Sequence, residues 1–374
     1  MKQKKLMILG GGGRQLLPLI QASKNEGYYT ILVGNINKAP GIDICDKHYN
    51  EDCTDVDKIL EIARNEKIDG VLGNAEYAMH YVSEVAGKLG LIGNPVKAVD
   101  LLNSKAEFRN LTKNLGFYAP KSVLTESFSD VLVKVDFEHI SFPIVMKPEK
   151  CSGSSGTTVI NSKKELKKSE WKWNICRDYS KTKKVVIEEY VKMADLTNVI
   201  DGDIFVHRGK IIWNGLFSNG RSKYDILFPM SQSYPINLDE KQMTEVKESL
   251  CALIKNAGIT FGALNIEAFY TEDDKLFFIE INARQGGNGI PYMIKKHCGI
   301  DMSRLLVTTA TGDDTYFNDV LTTKHCSRLV SRLQCFWHAE AGQYNSIDVM
   351  GGGISRYLCF PRNQKLYYGY EYAC

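Results

Sequence analysis

Among the 10 cysteines of this 374-residue chain there is no Cys-x-x-Cys pair and no short regular spacing. In a chain this long such thiols are expected to be reduced, mostly buried, and housed in a cytoplasmic protein. The 7 histidines form no zinc-binding arrangement, which argues against a catalytic zinc. No apolar run reaches the length of a membrane span, and the one that follows Lys4 and Lys5 is too short for a signal peptide. The formal charge is only +3, from 47 basic and 44 acidic residues, so a footprint for DNA or RNA is missing. The densest basic cluster, Lys163, Lys164, Lys167 and Lys168, reads as a solvated helix face. Gly-Lys-Ser/Thr is absent, which excludes a Walker A loop. What remains is an ordinary globular composition, long enough for two or three domains.

The first 98 residues alternate strands and helices. Lys5 to Leu9, Tyr29 to Val33 and Gly70 to Leu72 are predicted strands, and Leu16, Leu17, Ile20, Ile59, Ile62 and Ala63 mark helices between them. This rhythm predicts a parallel sheet covered by helices. The run Gly10-Gly11-Gly12-Gly13 invites a dinucleotide reading, but the third glycine position holds Gln15 or Leu16. The second strand also ends Val33-Gly34-Asn35, without the acid that would hold a ribose hydroxyl. A nicotinamide oxidoreductase is therefore disfavoured. The glycines either make a tight turn or admit a phosphate or carboxylate to the helix behind them.

Past a boundary at Leu91-Ile92-Gly93-Asn94-Pro95, Ser104-Lys105-Ala106-Glu107 reads as a capping box, with Gly116 closing the helix. Lys105 then sits in the first turn, where it opposes the helix dipole and hints at an anion to be held. Further on, Val145-Met146-Lys147-Pro148 and Thr157-Thr158-Val159-Ile160 flank a loop of small residues, Ser152-Gly153-Ser154-Ser155-Gly156. Bare backbone amides of that kind can lie over phosphates.

The most informative segment is a predicted hairpin, from Leu264 to Tyr270 and from Leu276 to Arg284. With Asp273-Asp274 as a two-residue turn, Glu272 faces Lys275 and Glu267 falls opposite Glu280. Alternation puts Phe269, Phe278 and Asn282 on the carboxylate face and Ile266, Ala268, Ile279 and Ile281 on the other. Like charges opposed on a sheet repel, and a cation between them turns that conflict into a site. Two carboxylates and an amide oxygen suit a hard ion such as Mg²⁺ or Mn²⁺.

Glu267 followed by Glu280-Ile281-Asn282-Ala283-Arg284 resembles the metal-binding end of ATP-grasp enzymes. The resemblance extends over residues 1–310, in family order. It implies a Rossmann-like parallel-sheet domain over 1–98, an ATP-grasp domain over 99–310 and a strand-rich extension over 311–374: an α/β and α+β multidomain chain. It further implies that Lys105 and Lys147 reach the nucleotide phosphates, beneath Ser152, Gly153, Ser154, Ser155 and Gly156. The strand ending Glu188-Glu189-Tyr190-Val191 would be the adenine hinge, and Asp195 falls near the family's ribose-binding acid. Phe269 and Phe278 would flank the nucleotide, while Glu267, Glu280 and Asn282 would hold the metal. Asp201-Gly202-Asp203 departs from the pattern and reads as an inserted turn. The basic stretch with Arg221 and Lys223, and the turn Arg284-Gln285-Gly286-Gly287-Asn288, are candidate acceptor-binding segments.

The activity implied is ATP-dependent joining of a carboxylate to an amine through an acyl phosphate, with ADP released and Arg284 stabilising the charge that builds. A bicarbonate-using enzyme similar to biotin carboxylase or carbamoyl phosphate synthase, and a nucleotide-binding regulator without turnover, are the alternatives. The expected partners are a small-molecule acid and amine, with no nucleic acid and no membrane. Monomer and homodimer both stay open.

Overall fold

The computed structural model describes residues 3–222, 229–287, 289–323, 331–336, 354–362 and 365–373. Its first sheet is parallel, with β1 (Lys5–Leu9), β2 (Tyr29–Val33), β3 (Lys47–Tyr49) and β4 (Gly70–Gly73) in the order β3-β2-β1-β4. Helices cover both faces, so β1, β2 and β4 read as nearly unbroken apolar runs. The sequence reading found three of these strands and passed over β3, whose Lys47-His48-Tyr49 lies partly exposed at the sheet edge. The glycine run makes a tight turn. The Gly10 amide bonds the Val33 carbonyl at 2.9 Å, and a Cβ on Gly34 would lie 2.3 Å from the Gly10 oxygen.

A second, smaller sheet has β5 (Ser122–Thr125), β6 (Ile144–Pro148), β7 (Thr158–Ile160) and β8 (Val185–Glu189) in the order β5-β8-β6-β7. Val131, Val135, Trp173 and Cys176 from two helices pack on Ile144, Met146, Val185 and Ile187. Trp173 Nε1 also donates to Thr125 Oγ1 at 3.0 Å, which satisfies the one polar atom of that indole.

The third sheet forms the large platform. Its strands are β9 (Val199–His207), β10 (Lys210–Ile212), β11 (Leu216–Arg221), β12 (Pro229–Tyr234), β13 (Phe261–Tyr270), β14 (Leu276–Asn282), β15 (Ser331–Phe336), β16 (Ile354–Arg362) and β17 (Lys365–Ala373). They run β14-β13-β9-β11-β12-β15-β17-β16, with β10 paired to β9. One face buries Leu264, Ile266, Ala268, Phe278 and Ile281 against Leu250, Leu253 and Ile254 of the helix Glu240–Ala257. The described tail strands join the platform through β12, and the helix Thr315–Thr322 precedes them. Leu16, Leu19 and Ile20 share a core with Phe205, Met293 and Leu305, fixing the first sheet to the platform.

Asp201-Gly202-Asp203 is no inserted turn, because all three residues lie buried inside β9. Acid and glycine together imitate turn chemistry, but here each has a partner in the sheet. Gly202 has φ 124°, and a Cβ there would lie 2.0 Å from the Gly215 carbonyl oxygen. Asp201 Oδ2 accepts from Asn219, and Asp203 accepts from the Gly286 amide at 2.8 Å.

Candidate active site

A cleft of about 340 Å³ lies where the small sheet, the platform and the N-terminal sheet meet. It gathers most of the residues singled out above. Lys147 is on β6, opposite Val186 of β8, and is buried with its Nζ bonded to Glu188 Oε1. Burial pulls the Lys147 ammonium below its ordinary value, and neighbouring Arg109 and Lys105 add to that against the lift from Glu188. For Glu188 burial works the other way, yet Lys147 and Arg109 hold its carboxyl below the usual range. Two cations, Lys147 and Arg109, share one buried carboxylate and leave positive charge uncompensated. A phosphate oxygen is the natural complement.

Arg109, one turn after Lys105 on the same helix, ties the small sheet to the hairpin of the platform. Its Nε lies 3.4 Å from Glu188, its Nη1 donates to the Phe278 carbonyl at 2.9 Å, and its guanidinium rests 4.5 Å from the Phe277 ring centre. The helix Lys105–Asn114 that presents it is capped by Ser104, whose hydroxyl accepts from the Glu107 amide. Lys105 points into the cleft, donating to the Cys151 carbonyl at 2.9 Å and standing 3.7 Å from Glu280 Oε2. Burial alone would lower its pKa, but Glu280 and Glu76 raise it above the ordinary value.

Ser152, Gly153, Ser154 and Ser155 line the cleft, with Gly153 and Ser154 both at positive φ. Gly156 stands behind them, where a Cβ would meet Tyr179 at 2.9 Å. At the end of β8, the Glu189 side chain accepts from the Lys121 and Ser141 amides, and the Tyr190 amide donates to the Pro143 carbonyl. Glu189, Tyr190 and Val191 face the cleft along with Met193. Asp195 does not. It is exposed, and its Oδ1 accepts from the amide and the hydroxyl of Thr197, so it caps a local turn.

Glu267 and Glu280 stand directly opposite each other across β13 and β14, by a route the sequence did not show. The turn has three residues, closed by the Thr271 amide on the Lys275 carbonyl, with Asp274 in the left-handed region at φ 56°. That shifts the register by one, and a bulge between Glu267 and Ala268 shifts it back. Between turn and bulge the faces are exchanged. Phe278 therefore enters the core behind the platform, while Phe269, Phe277 and Ile279 line the cleft. Asn282 is buried and donates from Nδ2 to Glu280 Oε1 at 2.8 Å.

Arg221 reaches Glu267 from β11, with Nη2 2.8 Å from Oε2. Burial nonetheless raises the Glu267 carboxyl to about 7, with Glu280 and Asp201 adding to the push against Arg221. Glu280 is held below the usual range, because Lys105, Asn282 and Arg284 outweigh its burial. No group of three His, Cys, Asp or Glu suited to a metal occurs among the described residues. Two carboxylates are nevertheless what a magnesium ion commonly takes from a protein when phosphate oxygens and water complete its shell.

Arg284 lines the cleft with Nη1 on the Gln285 carbonyl and Nη2 3.4 Å from Glu76 Oε2. Behind it, Asp203 grips the Gly286 amide with both oxygens, and burial raises its carboxyl to about 7. A Cβ on Gly286 would lie 2.8 Å from both Asn265 Nδ2 and Asp203 Oδ1, so that turn needs glycine. Gly287 is on the cleft wall, and Lys223 and Asn288 lie outside the described residues. The sequence reading assigned no site residue to the N-terminal sheet. Yet Gln15, Asn74, Glu76 and Tyr77 form one wall of the cleft. The available signal was position, since Asn74 immediately follows the carboxyl end of β4, where open α/β sheets bind ligands.

Residues 140–291 match the ATP-grasp domain family. The carbamoyl phosphate synthase large chain of Thermotoga petrophila is 26% identical over 336 residues, covering 83% of this chain and 28% of the relative. That of Neisseria meningitidis serogroup B is 25% identical over 330 residues, 81% of this chain and 29% of the relative. The chain thus spans less than a third of the length of these curated relatives. Among solved structures, L-amino acid ligase from Bacillus licheniformis superposes with a TM-score of 0.79 at 17% identity, covering 100% of this chain and 95% of that one. Phosphoribosylglycinamide synthetase from Anaerococcus prevotii gives 0.73 at 15%, with the same coverage. The biotin carboxylase domain of Hydrogenobacter thermophilus 2-oxoglutarate carboxylase, solved with MgADP and bicarbonate, gives 0.73 at 17%, covering 100% and 87%. The chain has the ATP-grasp fold, with an ATP-grasp domain matched over residues 140–291.

Proposed function

We propose that this protein is an ATP-dependent carboxylate–amine ligase that works through an acyl phosphate. One observation carries the reading: Lys105, Lys147, Glu267, Glu280 and Arg284 converge on a single cleft walled by the hinge on one side and the N-terminal sheet on another. The difficulty in such a reaction is electrostatic, because a carboxylate must attack a γ-phosphate that is itself anionic. Lys105 and Lys147 neutralise phosphate oxygens from two directions, and the small-residue loop covers them with backbone amides. Glu267 and Glu280 would hold Mg²⁺, which supplies Lewis-acid neutralisation of the β- and γ-phosphates. The fit rests on the donor set, two opposed carboxylates at the cleft, and on the raised Glu267 carboxyl, whose burial Arg221 does not offset.

In the first step a carboxylate oxygen bonds to the γ-phosphorus, and the bond to the β-bridging oxygen breaks with ADP as leaving group. In the second the amine nitrogen bonds to the acyl carbon, the carbon–oxygen bond to phosphate breaks, and the amine gives up its proton. Arg284 stands where negative charge collects on the acyl phosphate and on the tetrahedral carbon. No serine or cysteine nucleophile is required.

The test is ATP-dependent phosphate release across a matrix of carboxylates and amines, with products weighed by mass. ADP formation that needs an organic acid, and a hydroxamate when hydroxylamine replaces the amine, are the expected results. Arg284→Met should lower that turnover at least a hundredfold, roughly the loss of one oxyanion donor, and leave ATP affinity within a few-fold. ADP release dependent on bicarbonate alone would replace this reading with a carboxylase. Binding of ATP with no ADP release from any acid would leave a regulator.

A further inference from the structure

Asn74 is 8% exposed and lines the cleft directly after β4. Its orientation is fixed by chemistry. Nδ2 lies 3.0 Å from the Gln15 carbonyl oxygen, which can only accept, so the amide must turn its nitrogen there and its oxygen elsewhere. That oxygen is buried and takes no hydrogen bond from any described residue. An acceptor buried without a donor costs free energy unless a ligand or water supplies one. Two residues on, the Glu76 carboxylate faces the same cleft, and Arg284 stands 3.4 Å from its Oε2. The N-terminal wall therefore offers an amide oxygen and a carboxylate, both acceptors, beside the arginine that serves the acyl phosphate.

We infer that Asn74 and Glu76 form the subsite for the amino group of the acceptor substrate, which is a primary amine. The inference rests on the ligase reading and adds to it the side from which the amine arrives. A carboxylate would meet two acceptors here and be repelled. An ammonium group brings three donors and a positive charge, matching both. The nucleotide lysines lie on the helix Lys105–Asn114 and on β6, and the metal carboxylates on the hairpin of β13 and β14. The amine would thus approach from the N-terminal sheet, and the acid and nucleotide from the other two walls.

The experiment uses the full chain, each acid from the phosphate-release matrix, and four probe amines: ammonium, methylamine, glycinamide and L-alanine. Acyl-phosphate formation is followed without amine, as bridge-to-non-bridge ¹⁸O exchange in ATP, and amine use as the increase in phosphate release. Asn74→Leu should raise the KM of the amine used at least tenfold, with exchange within twofold of the wild type and an unchanged melting temperature. Asn74→Asp keeps an acceptor in place and should recover most of the lost affinity. An unchanged amine KM in Asn74→Leu overturns the subsite, as does a rise in the KM of the acid together with loss of exchange. A wild type that exchanges but uses none of the four amines also overturns it and leaves the acyl-phosphate step standing. A wild type without exchange for any acid overturns the ligase reading, and the subsite falls with it.

Discussion

Arg221 and Glu267 lie on strands that do not touch, yet their side chains meet at 2.8 Å across β9. The arginine is 6% exposed, so its charge has almost no water to fall back on. Glu267→Gln should then do two separable things. It should cut ADP formation at least a hundredfold, as Glu280→Gln should. It should also cost about 1 kcal/mol of stability, because the Arg221 guanidinium loses a carboxylate partner that is itself a quarter exposed. Arg221→Met in the Glu267→Gln background should recover none of the turnover. Denaturant midpoints and ADP assays on the three variants check this, and near-normal ADP formation by either glutamine variant would refute the metal site.

The exchanged faces of the hairpin can be checked with two neighbouring phenylalanines. Phe277→Leu opens the cleft wall on which Arg109 stacks, and should weaken ATP binding about tenfold, or ~1.4 kcal/mol. Phe278→Leu leaves a gap in the core behind the platform, and should destabilise the protein by about 1–2 kcal/mol with ATP affinity unchanged. Asp195→Ala, at the exposed turn, should change neither. Calorimetric titration with ATP alongside thermal melts separates the three.

Magnesium and ATP together should stabilise the protein against heat, and NADH should not. At a hundredfold excess over its dissociation constant a ligand adds about 2.7 kcal/mol by mass action. The glycine run is consumed by a tight turn and none of its glycines lines the cleft, so no dinucleotide shift is expected. A thermal shift with NADH equal to that with ATP would contradict the nucleotide assignment.

Glu66 gives the N-terminal sheet a pH-dependent contribution. Hydrogen bonds from Lys47, Tyr49 and Lys5 hold its carboxyl at about 2, below the unfolded value near 4.3. A depressed carboxylate stabilises the fold at pH values above the unfolded pKa, and that stability is lost as pH falls toward 2. Lys47 is half in water, so about 1 kcal/mol is expected rather than the full shift. Glu66→Gln should therefore destabilise the protein by about that much at pH 7, and the difference from wild type should close between pH 4 and pH 2. A constant difference across that range would argue against the linkage.

How far the sequence could be read depended on how local each signal was. Lys147 with the small-residue loop, the Ser104 cap before Lys105, and the opposed glutamates each lie within one element or one hairpin, where spacing fixes geometry. Glu267 and Glu280 were nevertheless matched through a turn of the wrong length. A left-handed Asp274 and a compensating bulge have no signature in the pattern of apolar residues, so Phe278 was set on the wrong face. Asp201-Gly202-Asp203 misled for the opposite reason. Its composition is that of a turn, and only Asn219, Asn265 and the Gly286 amide, all distant in sequence, make a buried strand of it.

The chain by itself determined the parallel N-terminal sheet, the buried strand lysine Lys147 and the opposition of Glu267 and Glu280, because strand periodicity and alternation act over a few residues. Only the tertiary structure decided that Arg109 pins Glu188 to the hairpin, that Arg221 reaches Glu267 across an intervening strand, and that Asn74 and Glu76 close the cleft. Those contacts join residues that are 46 to more than 200 positions apart, such as Arg221 with Glu267 and Glu76 with Arg284. Buried charges and acceptors take whatever partner the packing of whole sheets brings within reach, and no spacing in the sequence encodes that.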